Sequence, residues 1–123
     1  MVCCEPDWGT FTLLSDDVRT SRAVAQSWGE SFRNGWIGRQ LKEMLIRGGL
    51  LSVELSGHLL FTDGCDSADR VFDISVTIER LRRDDPNGSH RYSRWREDYE
   101  ADKNRGCCAS VTLFLVSGVK TLT

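Results

Sequence analysis

Met1-Val2-Cys3-Cys4-Glu5-Pro6-Asp7-Trp8-Gly9-Thr10 is the stretch on which the reading of this chain turns. Val2 to Glu5 reads as the end of a strand, and a strand so short finds nothing to pair with until much later in the sequence. Residues 108–119 read as the last strand. They carry Val111, Leu113 and Leu115 on one face and Thr112, Phe114 and Val116 on the other. A strand apolar on both faces belongs inside a sheet. On its residues alone, Glu5–Thr10 reads as a turn in which Pro6 sets the backbone, Asp7 hydrogen-bonds it and Trp8 fills the core.

Between these ends the pattern predicts four helices and one more strand. Ser15 is the expected N-cap of a helix over 16–33, with Asp16 and Asp17 in its first turn and an apolar stripe at Val24, Trp28 and Phe32. Asn34-Gly35 breaks it. A second helix over 38–47 turns Ile37, Leu41, Met44 and Leu45 inward, and Gly48-Gly49 supplies a left-handed stop. Residues 50–61 alternate as a strand, with Leu51, Val53 and Leu55 against Ser52, Glu54 and Ser56, and Gly57 marks a bulge or bend. A third helix over 67–83 presents Val71, Ile74, Ile78 and Leu81. After the turn at Asp84–Ser89 a polar helix over 90–104 is anchored by Trp95 and Tyr99 and stopped by Gly106.

Size and composition set bounds. A chain of 123 residues makes one small domain. An apolar fraction of 40% and a charged fraction of 28% suit a globular chain, and a net charge of -2 gives no overall attraction to nucleic acid or an anionic membrane. Glu5 and Asp7 stand where a signal peptide would need positive and then apolar residues, and the apolar run Val111–Val116 is too short to span a bilayer. The five cysteines lack C-x-x-C spacing, which argues against a zinc site and a disulfide framework; a reducing cytoplasm is the expected location. If the last strand runs antiparallel to the first, Cys3-Cys4 and Cys107-Cys108 become neighbours, as small buried thiols rather than metal ligands. Arg80, Arg82, Arg83, Arg91, Arg94 and Arg96 interleave with Asp84, Asp85, Glu97, Asp98 and Glu100, the pattern of a solvated helical face more than of a nucleic-acid patch.

Taken together, EPDWGT at 5–10, SFRNGWIGRQL at 31–41 and the terminal strand ending FLVSGVK at 114–120 resemble the C-terminal portion of a class I S-adenosylmethionine-dependent methyltransferase of the small-molecule type. The resemblance covers nearly the whole chain. It implies an α/β fold that is part of a Rossmann-like methyltransferase sheet. In that family the last strand in sequence is antiparallel and inserted between the fifth and sixth. Val2–Glu5 would then be the end of strand five, 50–61 strand six and 108–119 antiparallel strand seven, with four helices and an incomplete sheet. Residues 1–123 would form a single partial domain, the substrate-side half. The family's glycine-rich turn after strand one and the acidic residue ending strand two have no counterpart in this chain, and no G-x-G occurs in it. The cofactor-gripping half is therefore expected to precede Met1. S-adenosylmethionine is the cofactor of the full-length family and is not expected to bind tightly to this chain alone.

The resemblance also names candidate substrate-binding residues. Glu5 and Asp7 would orient a polar group and Trp8 would stack on a ring. Arg33, Asn34, Trp36 and Arg39 would shape the pocket, with Arg33 or Arg39 gripping a carboxylate or phosphate as a fork. The plainer reading makes 33–39 a helix–helix corner, with Asn34-Gly35 left-handed and the arginines solvated. No catalytic motif is expected, because methyl transfer from a sulfonium rests on proximity and alignment. No metal, nucleic-acid or membrane partner is expected. A small-molecule substrate is, once the missing half is supplied. The alternative is a free-standing α+β interaction or dimerisation module without enzymatic activity, associating as a homodimer or aggregating through an exposed sheet edge.

Overall fold

The computed structural model describes residues 1–101 and 107–121. Its first strand does not stop at Glu5. Strand β1 runs Val2–Leu13, through the whole EPDWGT segment, so the expected turn is a strand with a bulge. Pairing is continuous from Val2 opposite Ser117 to Asp7 opposite Thr112, then resumes at Thr12 opposite Ser110, so residues 8–11 face Val111 alone. Thr10 closes the bulge: its hydroxyl donates to the Asp7 carbonyl at 2.7 Å and accepts the Thr112 N–H at 2.9 Å. Pro6, which has no N–H to give, is tolerated because β1 is an edge strand.

Helices α1 (Val18–Glu30) and α2 (Ile37–Arg47) follow, then strand β2 (Leu51–Asp63), helices α3 (Cys65–Phe72), α4 (Ile74–Asp84) and α5 (Ser89–Ala101), and strand β3 (Cys107–Val119). The protein is thus α/β, with five α-helices and one open three-stranded sheet of order β1-β3-β2 among the described residues. The last strand lies in the middle, antiparallel to both neighbours, so β1 and β2 are parallel to each other. Its two-sided apolar pattern predicts that central place. The first residue is held there as well: the amino group of Met1 donates to the Gly118 carbonyl at 2.8 Å, and the Gly118 N–H returns to the Met1 carbonyl at 3.0 Å.

The expected third helix is two helices, which makes five in place of four. Asp73 takes a left-handed conformation (φ 47°), one that Asp tolerates better than most residues. The Asp69 carboxylate then caps α4, accepting the Ser75 N–H and hydroxyl, each at 2.8 Å. The break turns Ala68 and Phe72 into the core with Ile74 and Ile78, while Val71 is exposed and Leu81 half-buried. Helix α1 is also shorter than its pattern. It starts at Val18 with Asp17, not Ser15, as N-cap, and it ends before Phe32. Met44, expected inside, is exposed on α2 beside buried Leu41 and Leu45. Gly49 supplies the left-handed stop (φ 87°) as expected. The stretch of the predicted 90–104 helix beyond Ala101, and its stop at Gly106, lie outside the described residues.

The core has two parts. Phe11, Leu13, Ala109 and Val111 of the sheet meet Val24 and Ala25 of α1 and the inner faces of α3–α5. Trp95 and Tyr99 are the expected anchors, stacked at 4.8 Å. Each has a satisfied polar tip: Trp95 Nε1 donates to Ser21 Oγ at 2.9 Å and the Tyr99 hydroxyl to the Cys108 carbonyl at 3.0 Å. Val116 points to the other face by the two-residue alternation, and there Leu41 and Leu45 of α2 cover it together with Cys3 and Val53. Strand β2 departs from its expected burial. Leu51, Leu55, Leu59 and Phe61 are exposed, because β2 is an outer strand that the helices cover only near its ends. Its register passes Gly57 without interruption; the irregularities sit between Leu51 and Glu54, where Ser52 has φ 51°, and between Thr62 and Asp63. The two cysteine pairs are not neighbours either. Cys3 and Cys4 oppose Val116 and Leu115, while Cys108 lies at the far end of β3, because β1 continues eight residues past the expected strand end.

The Asp17 cap carries a pH prediction. The Thr20 hydroxyl (2.6 Å) and the Thr20 N–H (3.1 Å) bond its carboxylate and hold its pKa below the ordinary Asp value, helped by the charges of Arg91 and Arg19 and opposed by slight burial. A depressed acid stabilises the fold above its unfolded pKa of about 3.9 and loses that contribution as pH falls through the lower folded value. Asp17→Ala is expected to cost about 1 kcal/mol at neutral pH, as an exposed N-cap does. Urea melts from pH 7 down to roughly pH 2 should show the gap between the two proteins closing below about pH 4.

Candidate functional site

The β1 bulge brings Trp8 onto the corner between α1 and α2. The Trp8 N–H donates to the Gly35 carbonyl at 3.1 Å, which ties strand to corner. The indole stacks on Phe32 at 4.9 Å and 11° and meets Trp28, Phe11 and Phe72 edge-on within a single aromatic cluster. Gly35 makes this approach feasible. A Cβ there would lie 3.0 Å from the Gly29 carbonyl and 3.3 Å from Trp8 Cδ1. Asn34-Gly35 is not a left-handed turn as the plainer reading had it; Asn34 shapes the corner by accepting the Trp36 N–H at 3.2 Å on its side-chain oxygen.

One step along β1, Asp7 is buried to 1% exposure and paired with Arg39 of α2, whose Nε donates to Oδ2 at 2.8 Å. Its other oxygen accepts the Gly9 N–H at 3.2 Å. The Arg39 guanidinium lies 4.7 Å from the Trp36 ring centroid, over its face. Trp36 itself is 57% exposed. A buried carboxylate thus fixes an arginine, and the arginine fixes an exposed indole by a cation–π contact. Gly9 leaves room for all three: a Cβ there would come within 3.3 Å of Asp7 Oδ1, 3.4 Å of Arg39 Nη2 and 3.6 Å of Trp36 Cε2.

Of these groups Trp36 and Gly9 line an open cleft of about 590 Å³ between the β1 bulge, α1 and the corner, while Asp7 and Arg39 brace Trp36 from outside the lining. Trp8, Phe11, Phe32 and Trp36 give it an aromatic wall, and Arg22, Gln26 and Glu30 a polar one. The size and the mixture of a mainly apolar surface with a few polar groups suit a small organic molecule. Of the predicted residues the structure brings Asp7, Trp8, Trp36 and Arg39 together. Arg39 is not available as a fork for an incoming anion, since Asp7 engages it. Trp8 has one ring face on Phe32. Glu5 is half-buried two residues along from Asp7 on the same face of β1; Arg33 and Asn34 are exposed on the corner and do not line the cleft. Arg22, Gln26 and Glu30 escaped the sequence reading. Their signal was there, a polar stripe at i, i+4, i+8 beside the apolar stripe of α1, with Gln26 Nε2 bonded to Glu30 at 2.9 Å.

Among the described residues, neither turn from a strand to a helix carries the glycine run of an S-adenosylmethionine site. The turn from β1 to α1, Leu14–Asp17, holds two carboxylates and no glycine, and the turn from β2 to α3 holds Gly64 alone. Neither offers the run of glycines that lets a backbone close on that cofactor. Elsewhere the arginine-rich helices carry ion pairs, Glu79 with Arg82 and Arg96, and Glu100 with Arg96, as a solvated face does. Among the described residues no group of acidic, Cys and His side chains is arranged to hold a metal, and no helix is long and apolar enough to cross a membrane. No family model and no curated protein matches the chain.

Removing the arginine tests this relay. Arg39→Ala strands a buried carboxylate. Because Arg39 is itself 45% exposed, the expected cost is about 1–3 kcal/mol, below that of a fully buried pair. Trp36 emission should shift as the indole loses its support. Adding Asp7→Asn to Arg39→Ala should recover part of the stability, read in denaturant melts of the single and double variants.

Proposed function

We propose that this chain is the C-terminal, substrate-side portion of an S-adenosylmethionine-dependent methyltransferase acting on a small molecule. One observation carries the proposal: the sheet order β1-β3-β2, in which the last strand lies between two mutually parallel strands and runs antiparallel to both. That is the order the family resemblance implies for strands five, seven and six. The helical connection α1–α2 between the parallel strands agrees with it, since parallel neighbours need a long crossover. The cleft agrees as well, lying against the α1–α2 corner where the family shapes its substrate pocket. In this reading Trp36, held by Arg39 and Asp7 behind it, forms the rigid rim of the substrate wall and Trp8 its floor. The donor is held by a half that would pair along the outer edge of β1.

The proposal predicts that the isolated chain shows no micromolar binding of S-adenosylmethionine by calorimetry and no methyl transfer. A chimera with a class I cofactor-binding half fused ahead of Met1 should bind the cofactor and protect the outer-edge amides of Val2–Asp7 from hydrogen exchange. Micromolar cofactor binding by the isolated chain would refute it.

The exposed row Leu55, Leu59 and Phe61 on one face of β2 favours a second reading, a free-standing module that dimerises through β2. A defined dimer in sedimentation, abolished by Leu59→Lys, supports that reading. A clean monomer supports the first.

A further inference from the structure

Cys65 opens α3 and Cys108 lies near the start of β3, and their sulfurs are 2.7 Å apart. Two thiols in ordinary contact sit roughly 3.6 Å apart, and a disulfide spans about 2.05 Å. The pair therefore stands nearer to bonding than to plain packing. Both side chains are buried, at 5% and 0% exposure. Neither lines the candidate cleft.

The backbone explains the meeting. Thr62 pairs with Ala109 and Asp63 with Cys107, so Cys108 is one extra residue in β3 at that point. Such a bulge re-aims a side chain, here beneath the first turn of α3. The Tyr99 hydroxyl holds the Cys108 carbonyl at 3.0 Å, and Ala68, with no exposed surface, closes the core around Cys65. The position of each sulfur is thus set by the fold.

We propose that Cys65 and Cys108 form an oxidation site, converting to an intramolecular disulfide with a peroxide as the oxidant. One thiolate attacks a peroxide oxygen and the O–O bond breaks, giving a sulfenic acid and one water. The second sulfur attacks the first and displaces its oxygen as a second water. Two thiols lose two electrons and two protons, and hydrogen peroxide is reduced to two waters. Burial selects a water-sized oxidant, because a bulky disulfide cannot reach either sulfur without local opening. The product pins the α3 end of the helical layer to the central strand and closes a loop whose ends lie 43 positions apart.

The test uses the full chain carrying Cys107→Ser, so that the adjacent cysteine in the sequence cannot take the place of Cys108. The folded protein is treated with hydrogen peroxide, remaining thiols are alkylated, and tryptic peptides are mapped. The expected product joins residues 48–70 to residues 106–120 with the loss of two hydrogens. It raises the melting temperature by on the order of 10 °C, and dithiothreitol reverses the rise. Glutathione disulfide should give the same link much more slowly. The proposal is overturned if Cys65 and Cys108 stay alkylatable after unfolding, if either accumulates oxygen without a link, or if either joins Cys3 or Cys4.

Discussion

Each outer strand of the sheet hydrogen-bonds to β3 and, among the described residues, to no other strand. Every pairing in the sheet is therefore non-local. The bond from Met1 to Gly118 closes a separation of 117 positions. The entropy of closing such loops must be met before the pairing returns anything. Neither β1 nor β2 has a ladder until β3 is in place, and both parts of the core include β3 residues, Ala109 and Val111 in one and Val116 in the other. The helices can begin to form locally, but what they pack against is assembled last.

The cleft inherits its shape from the same strand. Because β3 spends one residue, Val111, on four residues of β1, the chain from Trp8 to Phe11 leaves the regular ladder and reaches the α1–α2 corner. An uninterrupted strand would send Trp8 and Asp7 to opposite faces and separate the aromatic cluster from the charge pair. The bulge lets both contribute to one locality: Trp8 on Phe32 and the Gly35 carbonyl, Asp7 on Arg39. An exposed tryptophan on a flexible corner would sample many rotamers. Trp36 is held over a guanidinium that a buried carboxylate anchors, and a surface ordered beforehand loses less entropy when a flat ligand settles on it.

Much of this was legible in the residues. The two-sided apolar run of 108–119 located the central strand, the stripes of α1 and α5 located their core anchors Val24, Trp95 and Tyr99, and Gly49 ended α2. Four of the seven candidate site residues, Asp7, Trp8, Trp36 and Arg39, do converge. Other expectations failed for identifiable reasons. EPDWGT carries turn residues, Pro6, Asp7 and Gly9, yet a long partner strand draws Pro6 and Asp7 into a ladder and leaves Gly9 in a bulge of the same strand. The apolar periodicity through 67–83 runs unbroken across Asp73, because the break depends on the Asp69 carboxylate finding Ser75, a side-chain contact that periodicity does not encode. The alternation of β2 reads as half-buried, but burial depends on what covers a strand, and the helices leave most of this one bare.

By itself the sequence determined most of the helical segments and the places of the second and third strands, that the last strand is interior, and which aromatic and charged residues are chemically equipped for a site. Those properties follow from local sterics and from the spacing of apolar side chains, which are present before any long-range contact forms. The tertiary structure alone decided that Arg39 is committed to Asp7, that Trp36 stands open on the rim, that Arg22, Gln26 and Glu30 face the same cleft, and that Cys65 meets Cys108. Each of these joins residues on different elements, and their distance is fixed by how bulges and crossovers place one backbone against another.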